Sequence, residues 1–198
     1  MKMAKKFLAV ALAGVLALSV LTGCGNSVKS KDIADSLTKM GVKVEQDDGV
    51  DKAAEETLAA IEAIIASDTN TAAGEDDKIT LDNAVNDTGK IIAINNIIND
   101  PNNAVKKALG VLSASTVAAD KANEGKQVRV ALVEIKNAKK DASLQAAIVK
   151  DGLVQVRAVI VDNNHKFAET GKLGTATTKD GKYMLVVIVN DVVEKSAT

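Results

Sequence analysis

The sequence predicts an α+β fold in which N-terminal helices pack on a C-terminal antiparallel β-sheet. Two observations carry this prediction. The first half of the chain spaces its apolar residues as an amphipathic helix does, whereas the second half contains three strand-like runs rich in β-branched residues. Strands that are apolar on both faces need helices to cover at least one face of their sheet. The two halves are therefore expected to form one domain.

Apolar residues at intervals of three and four predict the helices of the first half. In the first helix, Ile33, Leu37 and Met40 form one stripe, and Gly41 suits the helix end. The second helix is the clearest, and acidic residues in its first turns suit the positive end of the helix dipole. The predicted helices cover residues 31–41, 49–67, 81–98 and 101–121, with a short strand at 42–46 and a loop at 68–79.

Three runs of eight residues recur at a spacing of 28 and predict strands. They are QVRVALVE, QVRAVIVD and YMLVVIVN, at 127–134, 155–162 and 183–190. Lys-Asp-Gly stands shortly before the second and the third run, and Asp-Gly between strands favours a tight hairpin because glycine accepts a positive φ. The return strands of these hairpins are then AAIV at 146–149 and TATT at 175–178. A short helix over 141–150 is the alternative for the first of them.

The N-terminus has the three parts of a secretory signal. Residues 1–6 carry three lysines and no acid, residues 7–21 are almost entirely apolar, and small residues stand before Cys24. The apolar run is shorter than the roughly 20 residues that a membrane-spanning helix needs. An uncleaved transmembrane anchor remains the alternative to a cleaved signal.

Leu21, Thr22, Gly23 and Cys24 resemble the lipobox of bacterial lipoproteins, in which a Leu, a small or hydroxyl residue and a Gly or Ala precede a lipidated Cys. The resemblance covers residues 1 to about 26 and concerns processing, not fold. It implies that Cys24 carries a diacylglyceryl group and becomes the mature N-terminus. Two acyl chains hold a protein firmly, whereas one chain binds reversibly. An ordinary signal peptide with an incidental Cys is the alternative.

The predicted organisation follows from these segments. A signal peptide covers 1–23, the lipidated Cys and a short tether cover 24–31, and a single α+β domain covers 32–198. The domain is expected to be helical over 32–122 and to form the sheet over 126–193. Cys24 is the only cysteine, so the exported domain is expected to hold no disulfide and no reactive thiol.

Composition argues against several classes of function. Without the signal peptide 175 residues remain, and their formal net charge is −4, because the signal holds three of the 25 basic residues and none of the 26 acidic ones. A mildly acidic domain is a poor partner for nucleic acid, whose phosphates need a basic face. Phe167 and Tyr183 are the only aromatic residues outside the signal, which argues against sites that stack ligands on aromatic rings.

No catalytic, metal or cofactor motif is complete. His165 is the only histidine, and zinc sites need several His or Cys ligands, so we expect a solvated loop histidine. SLTK at 36–39 has the Ser-x-x-Lys spacing of penicillin-interacting enzymes, but the partner motifs Ser-Asp-Asn and Lys-Thr-Gly are missing. DTG at 87–89 matches half of an aspartic protease pair. The acidic cluster of Glu75, Asp76, Asp77 and Asp82 lacks the ligand order of a calcium loop.

Arg129 and Arg157 are the only arginines, and each stands third in a Gln-Val-Arg sequence. If the two strands run in the same direction, both guanidinium groups point to one face, where they could hold an anion through forked hydrogen bonds. The alternative is that each lies near a strand end with its charged group in water.

The sequence therefore predicts a non-enzymatic binding or structural module, anchored by lipid to the extracytoplasmic face of the cell membrane. The alternative is a small solute- or peptide-binding receptor lipoprotein. No cofactor is expected, and the expected partners are the membrane and an envelope protein. A deep pocket that holds both arginines would favour the receptor, whereas a flat apolar patch of several hundred Å² would favour a protein partner.

Overall fold

The computed structural model describes residues 28–66, 80–85, 126–138, 140–158 and 161–196. The helices are α1 (Ser30–Lys39), α2 (Asp48–Ile65), α3 (Leu81–Ala84) and α4 (Ala142–Gly152). The strands are β1 (Val44–Gln46), β2 (Lys126–Glu134), β3 (Val154–Ala158), β4 (His165–Phe167), β5 (Gly171–Thr177) and β6 (Tyr183–Glu194). The signal peptide, Cys24, the loop at 68–79, the helix at 101–121 and most of the helix at 81–98 lie outside the described residues.

The strands form one sheet in the order β1-β5-β6-β2-β3, and β4 pairs with the end of β6. Strand β6 is central and pairs antiparallel with both β5 and β2. The α+β class is confirmed. The sheet is mixed and not purely antiparallel, because β1 from the N-terminal half joins its edge parallel to β5, with Val44 opposite Gly171. The C-terminal half in turn supplies a helix, α4.

Helices cover both faces of the sheet, so the described residues form three layers. Successive side chains of a strand point to opposite faces. On one face, Leu185, Val187 and Val189 of β6 pack in a core cluster with residues of α2. On the other, Met184, Val186 and Ile188 pack with residues of α1 and α4. This two-sided burial explains why β6 is a nearly continuous apolar run.

The first two helices form where the sequence predicts them. In α1, Ile33 and Leu37 are completely buried, and the chain leaves the helix through Gly41, whose φ is +89°. Helix α2 begins beside Asp47, whose side chain accepts a hydrogen bond from the backbone N–H of Val50 at 3.0 Å. That contact satisfies one of the backbone donors that a helix leaves free at its start. No helix in the described part of the chain is both long and apolar enough to span a bilayer.

The return strand predicted at 146–149 is wrong, because these residues lie within α4. Asp141 caps this helix by accepting a hydrogen bond from the backbone N–H of Leu144 at 2.9 Å. Ala146 and Val149, three positions apart, are buried on its inner face. The helix that was the alternative for 141–150 is therefore the observed structure.

The two Lys-Asp-Gly tripeptides have different conformations. The first, at 150–152, ends α4. The second, at 179–181, turns the hairpin from β5 to β6, and Gly181 has the positive φ that such a turn needs, +66°. The predicted hairpin with a return strand at 175–178 is confirmed, with β5 covering Gly171–Thr177.

A substitution at Gly41 tests the left-handed end of α1. A methyl group at this position meets no atom within 4 Å, so only the backbone conformation opposes it. Gly41→Ala is expected to cost about 1 kcal/mol of unfolding free energy, because the left-handed region is unfavourable for residues with a Cβ. Gly41→Asn should cost less, since asparagine tolerates this region. Urea unfolding measures both, and equal costs would contradict the explanation.

Asp191 joins three strands of the sheet through ion pairs. Its carboxylate accepts hydrogen bonds from Lys126 on β2 at 2.6 Å and from Lys172 on β5 at 2.8 Å. Partial burial would raise the pKa of Asp191, but the hydrogen bonds and charges of the two lysines outweigh it and hold the pKa below its ordinary value.

This lowered pKa predicts how Asp191 affects stability in acid. The folded state binds the proton less readily than the unfolded chain, whose Asp pKa is about 3.9. The contribution to stability is therefore present above that value and is lost as the pH falls through the lower pKa of the folded state. Asp191→Asn is expected to lower stability at pH 7 and to weaken its decline between pH 5 and pH 2. Urea unfolding across this range measures the slope, with Asp151→Asn at an exposed position as the control. An unchanged slope in Asp191→Asn would contradict the ion-pair account.

Candidate functional site

An open cleft of about 440 Å³ is the candidate functional site. Residues from three parts of the chain line it: Gly41, Val42 and Lys43 between α1 and β1, Arg129 on β2, and Glu169 between β4 and β5. This volume is within the range of pockets that bind small molecules. Two of the lining residues are cations and one is an anion, so their formal charge is +1.

Arg129 places a guanidinium group on the sheet face that α1 and α4 cover. Its neighbours at alternate positions, Ala131 and Val133, belong to the apolar cluster on that face. Arg129 Nη2 donates a hydrogen bond to Asn190 Oδ1 at 3.1 Å. Its Nε–H is buried and has no hydrogen-bond partner among the described residues. Burial lowers the pKa of Arg129 below its ordinary value, yet an arginine stays protonated at neutral pH.

Asn190 holds the guanidinium group in position. It is buried on β6, and its Nδ2 donates to the carbonyl oxygen of Ala168 at 2.9 Å. Because a guanidinium group only donates, the amide oxygen of Asn190 must be the atom that faces Arg129. Gly171 leaves the necessary room, since a Cβ there would lie 2.7 Å from Ile188 Cγ2 and 3.1 Å from both amide atoms of Asn190.

A salt bridge spans two of the lining segments. Lys43 Nζ lies 2.8 Å from Glu169 Oε2, and both side chains are well exposed. The hydrogen bond from Lys43 lowers the pKa of Glu169, and the same bond raises the pKa of Lys43. Each of these charges therefore has its partner, which leaves Arg129 as the uncompensated charge of the lining.

Sequence reasoning singled out Arg129 but missed Asn190, Lys43 and Glu169. A signal for Asn190 was present, because it is the one amide in the otherwise apolar run YMLVVIVN. No comparable signal existed for Lys43 and Glu169, which are 126 residues apart in the sequence.

The backbone register places Arg157 on a strand that runs opposite to the strand of Arg129. Strand β3 runs antiparallel to β2, so the condition that the two Gln-Val-Arg strands share a direction is not met. In backbone register Arg157 is opposite Val128, whereas Arg129 is opposite Gln155, with an irregularity in between. The structure places Arg129 in the cleft, and an anion site that uses both arginines stays a prediction.

The histidine is not the solvated loop residue that the sequence predicted. His165 begins β4, and its side chain is only 11% exposed. Its Nδ1 lies 2.6 Å from Asp162 Oδ1, and this hydrogen bond lowers the pKa of Asp162. His165 is therefore a largely buried residue, and its hydrogen bond to Asp162 stabilises the turn before β4.

Of the other motif residues, some form hydrogen bonds within the fold and the rest lie outside the described residues. Ser36 is buried in α1 and donates to the carbonyl oxygen of Asp32 at 2.8 Å, an arrangement that hides its hydroxyl. Asp82 accepts hydrogen bonds from Lys182 and Tyr183. DTG at 87–89 and the acids at 75–77 fall outside the described residues. Within those residues, no three His, Cys, Asp or Glu side chains are grouped as metal ligands.

The described residues form an α+β protein of three layers with an open cleft, whose lining residues Lys43, Arg129 and Glu169 have a formal charge of +1. Comparison of the chain with protein-family models, with curated protein sequences and with solved structures found no match. Function is therefore inferred from the N-terminal sequence and from the geometry of the cleft.

Proposed function

We propose that this protein is a lipoprotein of the cell envelope, held by lipid on Cys24 at the extracytoplasmic face of the membrane, where it acts as a non-enzymatic binding module. The observation that carries the proposal is the N-terminal sequence, in which LTGC follows a charged start and a short apolar run. Helix α1 begins six residues after Cys24. Six residues span at most about 20 Å, so the domain would stand close to the bilayer surface.

The chemistry of the cleft supports binding over acid–base catalysis. Glu169 has a carboxylate that could accept a proton, but its lowered pKa makes it a weak base at neutral pH. Arg129 and Lys43 are protonated there and act as hydrogen-bond donors. Groups of this kind hold and orient a ligand.

The alternative function, a receptor for a small solute or peptide, is favoured by a specific observation. A cleft with a guanidinium group is a feature of such a receptor, although this cleft is open. In the described part of the chain, the exposed large apolar side chains are Leu144 and Val193, at 45% and 37% exposure. Leu144 lies on α4 and Val193 near the end of β6, so the two sit on separate elements.

Incorporation of labelled palmitate in a bacterial host tests the anchor. The wild-type chain is expected to carry the label and to be digested by protease added outside the cytoplasmic membrane. Cys24→Ala should carry no label, because it lacks the sulfur that accepts the lipid. Arg129→Gln, which alters the cleft alone, should be labelled like the wild type. Absence of label from the wild type, or equal labelling of Cys24→Ala, would refute the proposal.

A further inference from the structure

Arg129 forms no ion pair with any side chain in the described part of the chain. The ion pairs found there use Lys31, Lys43, Lys126, Lys136, Lys172, Lys182 and His165 as the cation. None includes Arg129, although arginine suits a partly buried ion pair better than lysine does. Burial of a charge without a partner is unfavourable. An anion from outside the domain would remove that cost.

The guanidinium group is nevertheless held in place. Asn190 fixes it through a hydrogen bond, and Asn190 is itself fixed by the carbonyl oxygen of Ala168. A neutral amide orients the cation without neutralising it. The site thus keeps both its charge and its geometry, and a group that is already in position loses little conformational freedom when a ligand binds.

The charge and shape of the lining indicate the class of ligand. Lys43 and Glu169 neutralise one another, so Arg129 accounts for the net charge of +1 and matches a monoanion. A planar carboxylate fits the planar, forked donors of a guanidinium group. Since Nε–H is buried, the Nη hydrogens are the donors that a ligand can reach.

We propose that the cleft beside Arg129 binds the carboxylate group of a small organic acid or of a peptide C-terminus. This inference rests on the proposed function, in that it names the ligand class of the binding module. Arg129 is the binding residue, and Asn190 and Gly171 are positioning residues behind it.

Titration of the full chain in non-ionic detergent tests the proposal. The probes are acetate, N-acetyl-dialanine and N-acetyl-dialanine amide, with binding followed by NMR chemical shifts of the protein at low salt. N-acetyl-dialanine is expected to bind saturably, and its amide, which lacks the carboxylate, is not. Arg129→Gln should weaken binding about tenfold or more, since it removes a charged hydrogen bond. Lys31→Gln, an exposed change on α1, serves as the control and should bind like the wild type.

Two further measurements separate binding from a structural role. Glutamine at position 129 keeps a donor for Asn190 and removes the unpaired charge, so the melting temperature of the ligand-free Arg129→Gln protein is expected not to fall. Glu169→Gln removes the competing anion and frees Lys43, so carboxylate binding should tighten several-fold. The Glu169→Gln result holds even if the variant at Arg129 fails to fold.

The outcomes distinguish the two sources of carboxylate and the two proposals. Binding of acetate but not of the peptide supports a small acid, and binding of the peptide supports a C-terminus. No saturable binding to the wild type, equal affinity of the peptide amide, or full affinity in Arg129→Gln would overturn the carboxylate site. If palmitate labels Cys24 while no carboxylate binds, the anchor stands and the site fails. If carboxylate binds and no label is found, the carboxylate site stands and the lipid anchor fails.

Discussion

Gly174→Ala is expected to destabilise the protein by about 3 kcal/mol or more. A Cβ at this position would lie 2.1 Å from the carbonyl carbon of Val50 and 2.2 Å from the backbone nitrogen of Asp51. The first turn of α2 therefore lies directly on β5, with backbone against backbone. Atoms of the backbone cannot turn aside as a side chain can, so the helix or the strand has to move. Insertion of a methyl group into packed surroundings typically costs 1–3 kcal/mol and sometimes more.

The same shift would break hydrogen bonds at this contact. Asp51 Oδ1 accepts from the backbone N–H of Thr175 and from Ser30 Oγ, both at 2.7 Å. Moving α2 away from β5 lengthens the first of these bonds and leaves a partly buried donor unpaired, which adds to the cost.

Urea unfolding measures this effect, and Gly49→Ala is the matched control. Gly49 lies in the same first turn of α2, but a Cβ there approaches only the side chain of Asp47, at 3.1 Å. Alanine is also favoured over glycine within a helix. The control is expected to stay within about 1 kcal/mol of the wild type. If Gly174→Ala unfolds as late as the control does, α2 does not rest on β5 at this point.

Truncation of one buried side chain on either face of the central strand β6 is expected to lower the free energy of unfolding by a similar amount. Leu185 and Ile188 of β6 are both completely buried, Leu185 in the cluster with α2 and Ile188 in the cluster with α1 and α4. Leu185→Ala and Ile188→Ala should each cost about 2–5 kcal/mol, because each removes buried methyl groups and leaves a cavity.

The control for these variants lies on the same strand. Val193 is 37% exposed, so Val193→Ala should change stability by less than about 1 kcal/mol. Thermal or urea unfolding of the three variants tests the three-layer arrangement. A large cost for Leu185→Ala with no cost for Ile188→Ala, or the reverse, would mean that one face of β6 is not covered.

The elements with long, regular patterns could be predicted from the sequence, and the short ambiguous ones could not. Helix α2 repeats its apolar spacing often enough to specify the helical period, whereas β2 and β6 are recognised as apolar runs rich in β-branched residues. The segment 141–150 does not, since its few apolar residues fit a strand or a helix. Tertiary packing and the cap at Asp141 decide in favour of the helix.

The two Lys-Asp-Gly tripeptides show a second limit. Their identical residues lie in a helix end and in a hairpin turn, because the preceding segment determines whether the chain reaches glycine from a helix or from a strand. A motif of three residues therefore does not determine its own backbone conformation.

The site could be predicted only in part, because it depends on the order of the strands in the sheet. Arg129 stood out because arginine is rare in this chain. Its partner Asn190 is 61 residues away and becomes a neighbour only because β2 lies beside β6. The order and direction of strands depend on contacts between distant segments, which a single sequence does not reveal. For the same reason the sequence left open whether β3 runs in the same direction as β2, and the structure shows that the two strands are antiparallel.

Mass spectrometry of the protein extracted from its native cell tests the lipid anchor most directly. The account predicts an N-terminal peptide that begins at Cys24 and carries the mass of a diacylglyceryl group, and it predicts that Cys24→Ala yields no such peptide. An unmodified wild-type chain that still contains residues 1–23 would contradict it.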